Sequence, residues 1–193
     1  MLTEKAYECC HEAGHAVARI IIGDAVLGIY INPNAPDRPG ERGRTKIKHR
    51  ERERRRCDGY VRNCSADPLD TDSCFSLGPD CPDCQDYCKN QVAARLAGGA
   101  ATECLMRDEH ARRGAQMTQM DEEDIKKEFC CYPPLGSIRS AAELRAGSLV
   151  VQEREAIDAF TQALVENDGS LGGPEATRIV REHFSGSTFY LSL

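Results

Sequence analysis

The sequence predicts a mainly α, α+β fold: a helical domain with a short β-hairpin or small sheet and a Cys-rich insertion. Three observations lead to it. Apolar residues recur at three- and four-residue spacing over long stretches near both ends of the chain. A single β-branched and aromatic run, Val26-Leu27-Gly28-Ile29-Tyr30-Ile31, follows the first of these stretches. Six of the eleven cysteines crowd into residues 57–88, where apolar residues are too few to hold a fold by burial alone. The 193 residues suffice for one domain with a real core, so we expect a single domain over 1–193 with residues 49–89 inserted in it.

Each element has its own signal. The first helix starts near Thr3, which can cap it, and lines up Ala6, Cys10, Ala13, Val17, Ile20 and Ile21; Gly23-Asp24 ends it. The strand at 26–31 comes next. Asn32 to Gly43 is rich in Pro, Asn and Gly and reads as a turn or loop, after which Arg44 to Lys48 returns antiparallel to the first strand. Arg50 to Arg56 alternates Arg and Glu and then becomes all Arg, the pattern of a solvated charged face or short helix. Cys57 to Cys88 is dense in Asp, Pro, Gly and Ser and must be cross-linked, metal-bound or mobile. From Asn90 the chain is mainly helical. Gln91 to Met106 is small and apolar, with Gly98-Gly99 permitting close helix packing, and Met120 to Phe129 begins another helix. Ala141 to Asn167 is a long helical stretch interrupted near Gly147, and Glu175 to His183 a short helix after the Gly172-Gly173-Pro174 turn.

The formal charge of −6 gives no electrostatic argument for nucleic-acid binding. No apolar run approaches the roughly 20 residues that a spanning helix needs. Met1 to Lys5 lacks the basic-then-apolar layout of a signal peptide. The expectation is a cytoplasmic chain with no membrane segment. An odd cysteine count with adjacent pairs, Cys9-Cys10 and Cys130-Cys131, argues against an extracellular disulfide framework. Cys81-Pro82-Asp83-Cys84 with Cys88 forms a C-x2-C-x3-C cluster, and Cys57, Cys64 and Cys74 lie upstream. A second, structural zinc at Cys81, Cys84, Cys88 and Cys74 is one expectation; disulfides, a redox-responsive loop or free thiols are the others.

The chemistry is written in His11-Glu12-Ala13-Gly14-His15. On a helix, residues i and i+4 project from one face a turn apart, so two imidazoles at this spacing can bind one Zn²⁺. Glu12 lies beside them, placed to take a proton from a water that such a metal acidifies and to pass it to a leaving amine. The reaction served is amide hydrolysis. The third ligand defines the class. A metzincin would require glycine at position 18 and histidine at position 21, and this chain has Ala18 and Ile21.

The residues around the motif extend the pattern. Ala6-Tyr7 lies just upstream of His11-Glu12-Ala13-Gly14-His15-Ala16-Val17-Ala18. Val26 to Pro33 is a strand ending in Ile31-Asn32-Pro33, and Leu96-Ala97-Gly98-Gly99-Ala100-Ala101-Thr102-Glu103 lies in a small-residue helix. Gly114-Ala115 precedes the acidic run Asp121-Glu122-Glu123-Asp124, and Leu171-Gly172-Gly173-Pro174-Glu175 precedes the last helix. Together these resemble the peptidase domain of the FtsH-type membrane AAA proteases, over most of the chain outside residues 49–89. Two or so extra residues separate Tyr7 from His11, no ATPase module or transmembrane helix accompanies the match, and the Cys-rich insertion is foreign to it. The resemblance implies a zincin-like helical peptidase domain that works without ATP, with a zinc ligand from the acidic run. In the family pattern the ligand Asp begins a helix with small or apolar residues farther along. Asp121 is followed by Ile125 and Phe129, whereas Asp124 is followed by Glu128 and then Pro133. Asp121 is preferred, with Asp124 and Glu103 as alternatives.

Two functions from different classes follow. The first is a zinc-dependent endopeptidase acting on flexible protein segments, with Glu12 as base and acid, His11, His15 and Asp121 as ligands, and strand 26–31 offering an edge to an extended substrate. The second is a non-catalytic metal-binding adaptor that contacts a partner through the Arg- and Cys-rich insertion. The expected partners are a protein or peptide substrate and either a second copy of the chain in a homo-oligomer or a separate partner protein. Aromatics for base stacking are scarce, so nucleic acid is not expected.

Overall fold

The computed structural model describes residues 2–31, 43–48, 82–128 and 135–186. It is mostly helical with one small antiparallel sheet, as the sequence predicts. The chain runs α1 (Leu2–Ile21), β1 (Ala25–Ile31), β2 (Gly43–Lys48), α2 (Pro82–Leu105), α3 (Arg107–Glu128), α4 (Leu135–Gln152), α5 (Arg154–Glu166), β3 (Ser170–Gly172) and α6 (Gly173–His183).

Helix α1 is the centre of the packing, with α2, α5 and the sheet all against it. Every residue from Tyr7 to Arg19 is buried. Cys9, Cys10, Ala13, Ala16 and Val17 join Ile29, Phe160 and Leu164 in the main core. The same helix also buries Glu8, His11, Glu12, His15 and Arg19, and a buried polar group is tolerated only with partners. For Arg19 these are Asp24, at 3.1 Å, and Gln91 on α2. Gly23, at φ 89°, then turns the chain into β1. The amides of Gly23 and Asp24 reach back to the carbonyls of Ile20 and Arg19 at 3.0 and 2.9 Å, closing the helix end.

The sheet order is β2-β1-β3, antiparallel throughout. Ile29 stands opposite Thr45 on one side and Leu171 on the other. A register slip between Val26 and Gly28 turns Leu27 outward and re-phases the strand, so that Gly28, Ile29 and Ile31 all face inward. Because β1 is the middle strand, it does not offer the edge expected of it. Among the described strands, β2 carries the edge beside the site.

The sequence reading differs from the structure in four further places. Ser170–Gly172 forms β3, although its composition reads as a turn; three residues are enough because β1 supplies the ladder. Helix α2 begins at Pro82 rather than near Gln91. Pro82 suits a first helical position, and Cys88 is buried with Val92, Ala93, Ile125 and Ile138 in a second core cluster. Helix α3 reaches back to Arg107, well before Met120. The long C-terminal helix breaks at Glu153, not at Gly147. Gly147 has open space beside it and a glycine weakens a helix without ending it. Glu153 is fully buried, and its carboxylate accepts hydrogen bonds from the Ser185 amide at 3.0 Å and the Ser185 hydroxyl at 2.6 Å. The bend turns that carboxylate inward to meet them. No helix among the described residues is long and apolar enough to cross a membrane.

Candidate metal centre

The site is assembled from three elements. Helix α1 contributes His11, Glu12 and His15, all buried. Their candidate ligand atoms lie within 4.8 Å of one another, a group that could hold a metal ion. Helix α3 contributes Asp121, whose Oδ2 stands 3.1 Å from His11 Nε2 and 3.3 Å from His15 Nε2. The two Nε2 atoms are 3.0 Å apart. Strand β2 contributes Thr45, whose hydroxyl donates to Glu12 Oε2 at 2.8 Å.

The small residues of α1 and α2 make this approach achievable. A Cβ on Gly98 would lie 2.5 Å from His15 Nε2, and one on Gly14 would lie 2.5 Å from the Ala97 carbonyl oxygen. Both collisions are far inside van der Waals contact, so the close crossing of α1 over α2 requires glycine at both positions. The same crossing brings the Ala94 carbonyl to 2.9 Å from His15 Nδ1. His15 donates its Nδ1–H there, which fixes the ring and turns Nε2 toward Asp121 and His11. On α3, Ile125 lies one turn beyond Asp121 and is buried in the second core cluster, anchoring the face that points Asp121 at the histidines. The neighbouring Glu122 is gripped by Arg139 of α4, which also holds Glu143 at 2.8 Å.

Three electron-rich atoms at mutual distances of 3.0, 3.1 and 3.3 Å form a nearly equilateral triangle. Ligands of a tetrahedral ion bound at about 2.0–2.1 Å stand about 3.3 Å apart, so the triangle has the dimensions of one face of such a shell. Among the described residues no hydrogen bond of good geometry reaches the buried Asp121 Oδ2. In the metal-free protein the arrangement is held by charge. Burial works against a charged His15, but the Asp121 carboxylate outweighs it and lifts His15 to about 9. Burial likewise works against an ionised Asp121, and the two histidines overcome it, holding the carboxyl well below the usual range.

The other candidates fall elsewhere. Asp124 is half exposed and pairs with Arg95 at 2.9 Å. Glu103 is exposed on α2, on the wall of a cleft. Cys84 and Cys88 both lie on α2, one turn apart, with Cys88 a buried thiol. Cys74 and Cys81, the side chain of Cys84 and the Arg-rich run lie outside the described residues and side chains. The sequence does not point to Thr45: its contact with Glu12 joins residues 33 apart, from the return strand to the helix, and no local pattern shows such a pairing. His110 also has a built setting, its Nδ1 lying 2.9 Å from the Thr102 hydroxyl and 3.1 Å from the buried Tyr7 hydroxyl. The chain matches no protein-family model and no curated protein.

Proposed function

We propose that this chain is a zinc-dependent endopeptidase, related to the peptidase domain of the FtsH-type proteases and acting without ATP on flexible protein segments. The observation that carries the reading is the triangle of His11 Nε2, His15 Nε2 and Asp121 Oδ2 with a buried carboxylate, Glu12, beside it. Asp121 is taken as the third ligand in preference to Glu12. Its oxygen is the one at bonding distance from both rings, and Glu12 already has the Thr45 hydroxyl on Oε2. Soft thiolates are absent from the triangle, and two imidazoles with one carboxylate suit zinc in a catalytic setting that keeps one position open.

When bound, zinc supplies Lewis acidity, polarising a carbonyl and making a water more acidic. The protein's own groups do the rest. His15 is fixed by its bond to the Ala94 carbonyl, and Asp121 by the packing of Ile125. Thr45 holds Glu12 Oε2, leaving Oε1 to take a proton from water and deliver it to the departing amine nitrogen as the C–N bond breaks. Thr45 also ties the catalytic carboxylate to β2, whose edge is placed to receive an extended substrate backbone.

The test is metal analysis of protein purified without added metal, combined with cleavage of casein by the parent and by Glu12→Gln. We expect one zinc at this site in both proteins and cleavage only by the parent, because the substitution removes a base and no ligand. Equal cleavage by both would sink the catalytic role of Glu12. Zinc in both and cleavage by neither would favour the non-catalytic metal-binding adaptor instead.

A further inference from the structure

A cleft of about 390 Å³ lies between α2, α3 and α4, and Asp121 forms part of its wall. Asp121 therefore faces two ways: its Oδ2 completes the triangle with the histidines, and its side chain borders this cavity. The cleft is within the size range of small-molecule pockets and roomy enough for a long side chain. Leu96, Gly99, Ala100 and Gly147 give it an apolar surface of small residues, and Glu103 stands on its wall. The other charged groups around it are already matched. Glu122 and Glu143 share Arg139, and Arg95 holds Asp124. Among the described residues no cation pairs with Glu103.

We propose that this cleft is the specificity pocket for a lysine or arginine side chain of the substrate, with Glu103 as the residue that selects it. The assignment of the pocket to a substrate rests on the endopeptidase reading; the charge and shape argument does not. A lysine or arginine has a long apolar stem and a charged tip, the combination that a small-residue trough with one carboxylate on its wall accommodates. An acidic side chain would be repelled by Glu103, and an aliphatic one could use the apolar trough but not the carboxylate. Gly147 is open because a Cβ there would touch nothing within 4 Å, so a larger residue at that position fills the cleft without disturbing the helix.

The experiment uses full-length, zinc-loaded Glu12→Gln protein labelled with ¹⁵N and titrated with acetyl-lysine amide, acetyl-leucine amide and acetyl-glutamate amide. The lysine probe should shift the backbone amides of Gly99, Ala100 and Gly147, and the glutamate probe should not. Glu103→Gln should weaken the lysine probe by about fivefold, the scale of a part-exposed ion pair. Gly147→Leu should abolish the shifts while leaving the rest of the spectrum folded. Equal response to lysine and glutamate, no response at those three amides, or full binding in Glu103→Gln would each overturn the proposal. Mapping of casein cleavage sites by the parent separates this from the broader reading. Lysine binding in a protein that cuts nothing would remove the endopeptidase and leave the cation pocket. Cleavage indifferent to lysine or arginine would remove the pocket's role and leave the endopeptidase.

Discussion

His15 carries two opposed demands. Without metal it is held as a cation by Asp121, against burial, with its ionisation lifted to about 9. With zinc it must give up its Nε2 proton. The sign of the pH dependence follows for each state. The ion pair stabilises the metal-free fold fully below the ordinary histidine value near 6.5, and this stabilisation is lost as pH rises through about 9. Zinc affinity moves the other way, rising by about tenfold per pH unit from 7 toward 9 as that one proton is released. Thermal melts of metal-free protein and competition with a zinc chelator at pH 7, 8 and 9 check both signs; affinity that is flat over this range would mean that His15 is already neutral in the metal-free protein. The ligand set is tested by substitution: Asp121→Ala should lower zinc content well below that of Asp124→Ala or Glu103→Ala, because only Asp121 approaches both rings. If only Glu103→Ala loses zinc, the ligand helix is α2 and the relation to the FtsH-type peptidases fails. The histidine pair was legible in the sequence because its geometry is local, four residues on one helix. Asp121 and Asp124 are three residues apart on one helix, and what separates them in space is tertiary: Ile125 buries one flank of α3, while Arg95 on α2 draws Asp124 outward.

At the scale of helices, the packing of α1 on α2 sets the site, and two glycines show opposite behaviour. Gly98→Ala places a methyl 2.5 Å from His15 Nε2 and 2.8 Å from the His11 carbonyl oxygen, so one of the two helices must move. We expect a loss of about 1–3 kcal/mol, the usual scale of overpacking, together with loss of bound zinc. Gly147→Ala meets no neighbour and removes backbone freedom from the unfolded chain, so it should raise stability by about 0.5–1 kcal/mol. Urea unfolding of the two variants beside the parent gives both signs; a destabilised Gly147→Ala would mean that position is already in contact with something. Sequence alone marked Gly98-Gly99 as a close crossing because two small residues stood inside an apolar helix. It misplaced the break in the C-terminal helices because glycine is the visible local signal, whereas the actual bend at Glu153 is stabilised by Ser185, 32 residues away. The thiols of α1 follow the same logic of packing over composition. Burial pushes Cys9 up to about 11 and Cys10 up to about 12, so iodoacetamide at pH 8 should label the exposed Cys104 well before either, as peptide mass spectrometry can resolve.

For the molecule as a whole, the described core is built from elements on both sides of the Arg- and Cys-rich segment. Helix α1 and strands β1 and β2 come before it, and α2 onward come after, with α1 and α2 in extensive contact. The segment therefore joins two parts that already hold each other. The entropic penalty of a connecting loop grows only slowly with its length, so a shorter connection is tolerated if it spans the gap. The structure moves the downstream boundary. Composition placed the end of the insertion at Lys89, but α2 begins at Pro82, Cys88 is buried, and Arg145 of α4 is tied to Asp86 and Asn90 at 3.1 and 2.6 Å. A cut at Lys89 would remove the first two turns of α2 with the buried Cys88 and the Asp86–Arg145 contact. Composition could not show this, because Asp, Gln and Cys look the same in a polar loop as on a helix docked along one face. We expect a variant joining Lys48 to Pro82 through a flexible Gly/Ser linker to keep the parent's helical circular dichroism and one zinc at His11, His15 and Asp121. The corresponding join to Lys89 should be clearly less stable. Equal stability of the two variants would show that the first turns of α2 contribute nothing to the core. An unfolded Pro82 variant would mean that residues 49–81 are required to bring β2 and α2 together, and the division into a peptidase-like domain and an inserted segment would not hold.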